Sequence, residues 1–160
     1  MATQRHPDLQ VRLRPGNVGD LDDVMRIMTG AFPSCFGEAW TRSQCAGIMP
    51  MHGVTLTIAE AEGAPVGFSL VRAVADEAEL LLLAVAPAEQ RRGIGQALLD
   101  EFVARALSGG AHRLHLEVRD GNPAIELYRA SGFSAAGRRR NYYRGTAGEA
   151  YDAVTLALTD

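Results

Sequence analysis

The sequence predicts one α/β domain of the α+β type, with a mixed central sheet of about seven strands flanked by about four helices. Three observations favour this fold class. The chain has 160 residues, which suits a single domain over residues 1–160. Strand-like and helix-like patterns follow one another in the order β-α-α-β-β-β-α-β-α-β-β. One strand–helix–strand unit, over residues 80–119, implies a right-handed parallel crossover, whereas the consecutive strands before it imply antiparallel pairing.

The strands are predicted from alternating apolar and polar side chains or, for a strand buried on both faces, from a continuous apolar run. The segments with these patterns lie at residues 9–13, 54–60, 66–74, 79–86, 113–119, 134–143 and 151–158. The first contains Leu9 and ends before Pro15-Gly16. The fourth contains the longest apolar run of the chain, at residues 80–87, and is therefore predicted to be the central strand.

The helices are predicted from apolar residues at spacings of three and four, or from residues that favour a helix start. These segments lie at residues 20–29, 41–49, 94–106 and 123–130. The second begins with the capping-box pattern Thr41-Arg42-Ser43-Gln44. The fourth begins with Pro123, which is favourable at a first helical position. Residues 31–39 are predicted to form a loop.

The composition excludes several classes of protein. Sixteen Lys and Arg against nineteen Asp and Glu give a net charge of −3, which disfavours a general nucleic-acid binder. Cys35 and Cys45 cannot form a disulfide framework and are expected to be free thiols. The N-terminus has no apolar signal-peptide core, and no apolar run approaches the ~20 residues of a membrane span. We therefore expect a cytoplasmic protein with no nucleic-acid and no membrane partner.

The segment between the central strand and the third helix carries the sharpest motif, Gln90-Arg91-Arg92-Gly93-Ile94-Gly95-Gln96. Its two glycines allow a tight turn and a close approach of the backbone to a ligand. The first N–H groups of the following helix have no partner inside the helix, and with the helix dipole they form an anion site beside two arginines. The motif predicts a phosphate or pyrophosphate ligand, and an ordinary strand-to-helix turn is the alternative.

Two known phosphate-binding loops fit this motif poorly. A P-loop requires Gly-Lys-Ser/Thr, whereas Gly95 is followed by Gln96. A dinucleotide-binding loop requires a third glycine, where this chain has Leu98.

The loop resembles, at every fixed position, the acyl-coenzyme A loop of the GCN5-related N-acetyltransferases, with the pattern Gln/Arg-x-x-Gly-x-Gly/Ala. The resemblance covers nearly the whole chain, and it is strongest to the bacterial ribosomal-protein-alanine N-acetyltransferases. The further segments that carry it are Asp76-Glu77-Ala78-Glu79-Leu80, Leu83-Ala84-Val85-Ala86-Pro87, Leu116-Glu117-Val118-Arg119, Ile125-Glu126-Leu127-Tyr128, Gly132-Phe133 and Arg139-Arg140-Asn141-Tyr142-Tyr143. The resemblance implies the GCN5-related acetyltransferase fold.

The resemblance also implies an enzyme that transfers acetyl from acetyl-coenzyme A to the N-terminal α-amine of a protein. The implied acceptor is the N-terminal alanine of a small-subunit ribosomal protein. Acetyl-coenzyme A would be the cosubstrate, and no metal is expected. An acetyltransferase for a small amine or a lysine, and a coenzyme A-binding module without catalysis, remain alternatives. Near neutral pH an α-amine, with a pKa of about 7.7–8.0, loses its proton more easily than a lysine amine at about 10.4.

The resemblance assigns a catalytic pair. Glu117 would be the general base that takes the proton of the amine, directly or through one water. Tyr128 would be the general acid that protonates the departing thiolate. Glu79 is the rival base. The structural alternatives are a strand glutamate paired with Arg113 or Arg119, and a helical tyrosine that is merely half-buried.

The implied coenzyme site combines the central strand, the glycine-containing loop and the segment after Glu117. The backbone of Leu83, Ala84 and Val85 would bind the amides of the pantetheine arm, and a bulge there would leave an N–H for the oxyanion. The loop residues that would bind the pyrophosphate are Arg91, Arg92, Gly93, Ile94, Gly95 and Gln96. Asn122 would also contact the coenzyme. The stretch from Asn122 to Tyr128 is one residue shorter than the usual spacing, so Gly121 is the alternative at that place.

The implied acceptor site contains acidic and aromatic side chains. Glu77 and Glu79 would bind the ammonium group of an incoming peptide. Alternation along a strand would place Tyr142 and Tyr143 on opposite faces, so that one lines the acceptor groove and the other packs. The arginines before them, at residues 138–140, belong to the same strand, and a solvated edge strand is their structural alternative.

Overall fold

The structure is a computed structural model that describes residues 10–159. Its strands are β1 (Val11–Pro15), β2 (Val54–Ala61), β3 (Ala64–Val74), β4 (Glu77–Val85), β5 (Arg113–Arg119), β6 (Ser134–Arg144) and β7 (Ala150–Thr159). Its α-helices are α1 (Leu21–Ala31), α2 (Arg42–Ile48), α3 (Ile94–Ser108) and α4 (Ala124–Ala130). Every predicted strand and helix is present within one or two residues of its expected bounds. Leu9, which the sequence places in the first strand, lies outside the described residues.

All seven strands belong to one sheet, in the order β1-β2-β3-β4-β5-β7-β6. Neighbours are antiparallel except β4 and β5, which are parallel and joined through α3. The mixed sheet and the parallel unit are therefore as predicted. No helix in residues 10–159 is long and apolar enough to cross a membrane.

The two helical layers cover opposite faces of the sheet. On one face, α1 and α2 pack on β2, β3 and β4, with Ile27, Met28 and Phe68 at the centre of a shared core. On the other face, α3 packs on β4 and β5, where Phe102 and Leu116 are almost fully buried. Each face of the sheet thus buries a separate apolar core. Along β5, the residues that alternate with those packed in the α3 core point to the opposite face.

Local sequence signals explain two of the helix starts. Thr41 and Gln44 form the predicted capping box of α2, each side chain accepting from the backbone N–H of the other. Asn17 and Asp20 form a second capping box in the short 3₁₀ turn that leads into α1. The predicted loop before α2 also contains a single 3₁₀ turn, Ser34–Phe36.

The parallel strands β4 and β5 diverge after four residue pairs. Residues 77–80 of β4 pair with residues 113–116 of β5. Further along, β4 remains paired with β3 as far as Val85, and β5 remains paired with β7 as far as Arg119. The sheet therefore opens into a cleft between the second halves of these two strands.

A β-bulge marks the point of divergence. In the pairing with β3, Leu80 lies opposite Val71 and Leu82 lies opposite Leu70, so Leu81 is the extra residue. Before the bulge Leu80 packs in the core beneath α3, whereas after it Leu82 packs in the core beneath α1. The family resemblance implied a bulge at residues 83–85, whereas the structure has it at Leu81, two residues earlier. The bulge occurs where β4 loses its second strand partner and its side chains change face.

Candidate active site

The open edge of β4 forms one wall of the cleft. Beyond Leu80, the backbone groups of β4 that point towards β5 have no strand partner among the described residues. Leu83, Ala84 and Val85 lie on this part of the strand, with β3 on their other side. An extended molecule that carries amide groups can pair with such an edge as an additional strand does. The predicted pantetheine-binding residues therefore lie at a suitable edge.

The glycine-containing loop leads from the open end of β4 into α3. Gly93 precedes the first helical residue with a φ of 81°, and the exposed Arg91 also has a positive φ, of 64°. No side chain in residues 10–159 caps the start of α3, so its first N–H groups remain available to an anion. A methyl group added at Gly95 would lie 3.6 Å from Leu127 and 3.8 Å from Val85. The helix start therefore lies between the end of β4 and α4, at the cleft.

The other loop residues differ in what they can offer a ligand. Arg92 pairs with Glu89 at 3.2 Å on the surface. Ile94 is 1% exposed, so only its backbone can contact a ligand. The side-chain amide of Gln96 donates to Ser131 at 3.1 Å, which joins α3 to the turn after α4.

Glu117 lies on β5, on the face of the sheet opposite α3, with its side chain 13% exposed. The Arg139 Nε atom forms an ion pair with one carboxylate oxygen, at 2.8 Å. The Thr155 hydroxyl donates to the other oxygen at 3.0 Å. Both oxygens of the predicted base therefore have a partner, and one of these partners is a cation from β6.

Tyr128 is a buried residue of α4 whose ring packs edge-to-face against Phe133, with 6.3 Å between ring centroids. Burial raises the pKa of its phenol well above the ordinary value, and the negative charge of Glu38 raises it further. The hydroxyl is thus protonated near neutral pH, which is the state that a proton donor requires.

Tyr143 belongs to the same group of side chains. Burial raises the pKa of its phenol, and the nearby Glu38, Tyr142, Glu117 and Tyr128 raise it further. Charges influence a titratable group in this way only over short distances. Glu117 and Tyr128, predicted as base and acid, therefore both lie within electrostatic range of Tyr143.

Tyr142 and Tyr143 do not follow the predicted alternation. Their rings contact each other edge-to-face, with 4.9 Å between centroids, and Tyr142 is 50% exposed. The pairing of β6 with β7 shifts register between Arg139 and Tyr143, and Asn141 has a positive φ of 52°. The expectation of opposite faces is wrong because this irregularity interrupts the regular alternation of side chains along β6 just before the two tyrosines.

Glu38 is a site residue that the sequence did not indicate. One of its carboxylate oxygens accepts from Arg119 Nε at 2.7 Å, and the other accepts from Asn122 Nδ2 at 2.8 Å. The Glu38 and Arg119 side chains are both only 9% exposed. The Asn122 side-chain oxygen meanwhile accepts from the Ala124 N–H at 2.9 Å, at the start of α4. The nitrogen and the oxygen of the Asn122 amide thus each have one partner within the protein, and its predicted coenzyme contact stays a prediction.

The structural alternative for Glu117 named the wrong arginines. Arg119 binds Glu38, as described above. Arg113 lies 3.7 Å from Glu77. Both are on the same strand as Glu117, where residues on one face are about 7 Å apart, whereas Arg139 reaches it from β6 across β7.

The loop that carries Glu38 is fastened over this end of β5. The guanidinium of Arg119 lies 3.7 Å from the centre of the Phe36 ring, and Phe36 packs edge-to-face against Tyr151 of β7. The cation and the two rings stabilise each other by cation–π and aromatic contacts. The loop is therefore held by Phe36 as well as by Glu38.

The same loop contacts the turn between β6 and β7 through closely approaching backbones. A methyl group added at Gly37 would lie 2.0 Å from the Arg144 carbonyl oxygen, and one added at Gly145 would lie 1.8 Å from the Cys35 carbonyl oxygen. The Thr146 N–H donates to the Ser34 carbonyl at 3.2 Å. We call residues 34–38 together with residues 144–146 the roof, and its second segment follows Tyr143 directly in the chain.

The two acidic residues at the start of β4 lie further from this group. Glu79 binds Arg72 at 3.1 Å and lies 3.8 Å from His115 Nε2. It pairs with His115, two positions before Glu117 on β5. Glu77 is at the far end of the paired part of β4, beside Arg113. The structure thus places Glu79 near the site and Glu77 outside it.

Comparison with known proteins assigns a family to this arrangement. Residues 21–133, more than two thirds of the chain, match the Acetyltransferase (GNAT) family. The chain belongs to the GNAT acetyltransferase family. The resemblance that the sequence motifs predicted, and the fold that it implied, are therefore confirmed.

Two relatives show which members of the GNAT family this chain is similar to in sequence. The chain is 43% identical over 97 residues to the ribosomal protein bS18-alanine N-acetyltransferase of Escherichia coli K12, and this match spans 60% of the chain and 65% of that enzyme, less than two thirds of its length. It is 45% identical over 76 residues to the N-alpha-acetyltransferase RimI of Mycobacterium tuberculosis, which covers 47% of the chain and 46% of that enzyme.

A solved structure extends the likeness to almost the whole chain. The crystal structure of the ribosomal-protein-S18-alanine N-acetyltransferase from Escherichia coli superposes with a TM-score of 0.84 at 32% sequence identity, covering 94% of each chain. The GNAT fold of this chain is therefore closely similar to that of a protein N-terminal acetyltransferase.

The close packing of the roof predicts that the protein loses stability when a side chain is added there. Gly145→Ala should lower the free energy of unfolding by about 1–3 kcal/mol, because the added methyl group overlaps the Cys35 carbonyl and forces two backbones apart. Gly47→Ala is the matched control, since nothing lies within 4 Å of the added methyl group on α2. Chemical denaturation of both variants measures the effect. A free energy of unfolding of Gly145→Ala equal to that of the wild type would show that the two loops are not packed together.

Proposed function

We propose that this protein transfers the acetyl group of acetyl-coenzyme A to the N-terminal α-amine of a protein, and that its acceptor is the N-terminal alanine of a ribosomal protein. The name of the Escherichia coli relative supports the acceptor. The observation that supports the proposal is the close backbone contact between the two loops of the roof, one of which continues directly from Tyr143, because loops joined beside the site would admit the end of a chain and obstruct a segment that must pass through.

The cleft provides the coenzyme site in this proposal. The open edge of β4 at Leu83, Ala84 and Val85 binds the amides of the pantetheine arm. The free N–H groups at the start of α3, together with Arg91 and Arg92, bind the pyrophosphate. One N–H of the open edge donates to the oxyanion that develops on the thioester carbonyl. Bound acetyl-coenzyme A supplies the activated acetyl group, and the protein orients it.

Glu117 acts as the base in this mechanism. An ammonium group has no lone pair, so the acceptor must lose a proton before it attacks the thioester. An α-amine titrates at a pKa of about 7.7–8.0, so a carboxylate that accepts its proton, directly or through a water, is sufficient near neutral pH. A lysine amine would demand about 3–4 kcal/mol more at 1.36 kcal/mol per pKa unit.

Tyr128 acts as the acid. Its phenol is kept protonated by burial and by Glu38, and it donates to the thiolate of the departing coenzyme. Neither step requires a covalent intermediate on the protein. Cys35 and Cys45 are free thiols, the first exposed and the second buried, and the mechanism does not use them.

Two other functions remain as alternatives, and each is distinguished by what it requires of the site or of the acceptor. An acetyltransferase for a lysine within a chain needs an open acceptor groove, which the roof disfavours, whereas an acetyltransferase for a small amine is distinguished only by its choice of acceptor. A coenzyme A-binding module needs no base and no acid, whereas Glu117 and Tyr128 are both present at one site. The expected cytoplasmic location, and the expected absence of nucleic-acid and membrane partners, stay predictions.

The coenzyme site is tested by a change that the fold tolerates. Gly95→Val should lower the affinity for acetyl-coenzyme A at least about tenfold, because the side chain occupies the place where the helix start approaches the pyrophosphate. The methyl position lies at ordinary contact distance from its protein neighbours, so the fold should persist. Isothermal titration calorimetry measures the affinity, with exposed Gly47→Val as control. An unchanged affinity would place the coenzyme elsewhere.

The base is tested by Glu117→Gln, which keeps the shape of the side chain and removes its charge. We expect kcat to fall by about 10²–10⁴, the usual scale for loss of acid–base catalysis, with the affinity for acetyl-coenzyme A nearly intact. Glu79→Gln is the control and should change kcat by only a few-fold. If Glu79→Gln abolishes turnover while Glu117→Gln is nearly as active as the wild type, the two roles are reversed.

The acceptor is tested with three amines. A peptide that begins with alanine and continues with arginines should be acetylated efficiently, since the net charge of the protein is −3 and favours a cationic peptide. The same peptide with a blocked N-terminus and a free lysine should be a poor acceptor, as should a polyamine. Mass spectrometry locates the acetyl group. Preferred turnover of the blocked peptide or the polyamine would leave family membership intact and disprove the N-terminal acceptor.

A further inference from the structure

The Glu117 carboxylate has two partners, one held in place by the sheet and one that can be displaced. Thr155 lies directly opposite Glu117 in the pairing of β5 with β7, so its hydroxyl is held beside the carboxylate by the sheet. Arg139 reaches the other oxygen from β6 with a side chain that is 62% exposed, although the carboxylate that it covers is only 13% exposed. The guanidinium therefore occupies the solvent side of Glu117.

Arg139 also lies where β6 is least constrained. It pairs opposite Ala153, and the next pair in register joins Tyr143 to Tyr151. Asn141, between them, has the left-handed φ of 52°. The Tyr142 ring lies 5.6 Å from the guanidinium and is itself half exposed. Arg139 therefore stands at the start of an irregular segment on the edge of the sheet, and its side chain lies beside a half-exposed tyrosine.

An acceptor that carries an α-ammonium group must approach the same carboxylate. An ammonium and a guanidinium are both cations that donate hydrogen bonds to carboxylate oxygens at about 2.7–2.9 Å. Thr155 holds one oxygen of Glu117 through the pairing of β5 with β7, so an acceptor that binds Glu117 takes the oxygen that Arg139 contacts. The two cations compete for one position.

We propose that Arg139 binds the Glu117 carboxylate in the free enzyme and that the ammonium group of the acceptor displaces it. We call this replaceable ion pair between Arg139 and Glu117 the latch. This inference rests on the proposed function, because it takes Glu117 as the base and an α-amine as the acceptor. The exchange replaces one cation by another, so the carboxylate never remains buried without a partner. Arg139 is a positioning residue that sets acceptor affinity, and it takes no part in proton transfer.

The latch is tested by Arg139→Gln, with steady-state kinetics on the alanine peptide. Removing the competing cation should lower the KM for the peptide about two- to fivefold, the scale of a partly exposed ion pair, and leave kcat and the KM for acetyl-coenzyme A within about twofold. Arg139→Lys keeps the charge and should restore the wild-type KM. Arg138→Gln is the matched control on the same strand, since Arg138 binds Asp120 and Asp152 instead, and its kinetics should equal those of the wild type.

A measurement without turnover separates this inference from the proposed function. The Nε–H signal of Arg139 in the NMR spectrum of the wild-type protein should shift when alaninamide is added and stay unchanged with N-acetylalaninamide. Absence of peptide acetylation by the wild type would disprove the proposed function alone. An unchanged or raised peptide KM in Arg139→Gln, a kcat reduced tenfold or more, or an Nε–H signal unaffected by alaninamide would overturn the latch.

Discussion

The divergence of β4 from β5 is the constraint on which the rest of the site depends. A parallel pair buried in the middle of a sheet normally stays hydrogen-bonded along its length, because unpaired backbone groups are costly when they are buried. Here the pairing ends after four residue pairs, and the bulge at Leu81 turns the side chains of β4 to the other core. The open edge that results needs a partner, and it faces the start of α3, where the N–H groups also need one. Both requirements are met by one extended, anionic molecule with amide groups.

The buried ion pair between Glu38 and Arg119 joins the acceptor side to this cleft. Burying two charges is favourable only when each has a full set of partners. Glu38 has Arg119 and Asn122, and Arg119 also stacks on Phe36. Burial raises the pKa of the Tyr128 and Tyr143 phenols, and this carboxylate raises it further. One loop therefore stabilises the roof and also acts on the pKa of the residue proposed as the acid.

The sequence was informative wherever structure depends on neighbouring residues, and uninformative where it depends on distant ones. The bounds of β5 and the capping box of α2 follow from local alternation and local hydrogen bonds, and both agree with the structure. Glu38 was missed because its partner Arg119 is 81 positions away, and nothing in the loop around it signals that contact. The partner of Glu117 was misjudged because the long side chain of Arg139 reaches across β7 from β6.

The exposed strand β6 has a consequence for the behaviour of the protein in solution. An edge strand of 11 residues offers unpaired backbone groups to any other strand, and long edges of this kind favour aggregation. This edge carries three consecutive arginines, Arg138, Arg139 and Arg140, and an interruption in its regular pairing just after the second. A second copy of the chain would bring the same positive charges against it and would meet a backbone that is not straight. The segment that borders the site thereby also protects the sheet from growing by one strand.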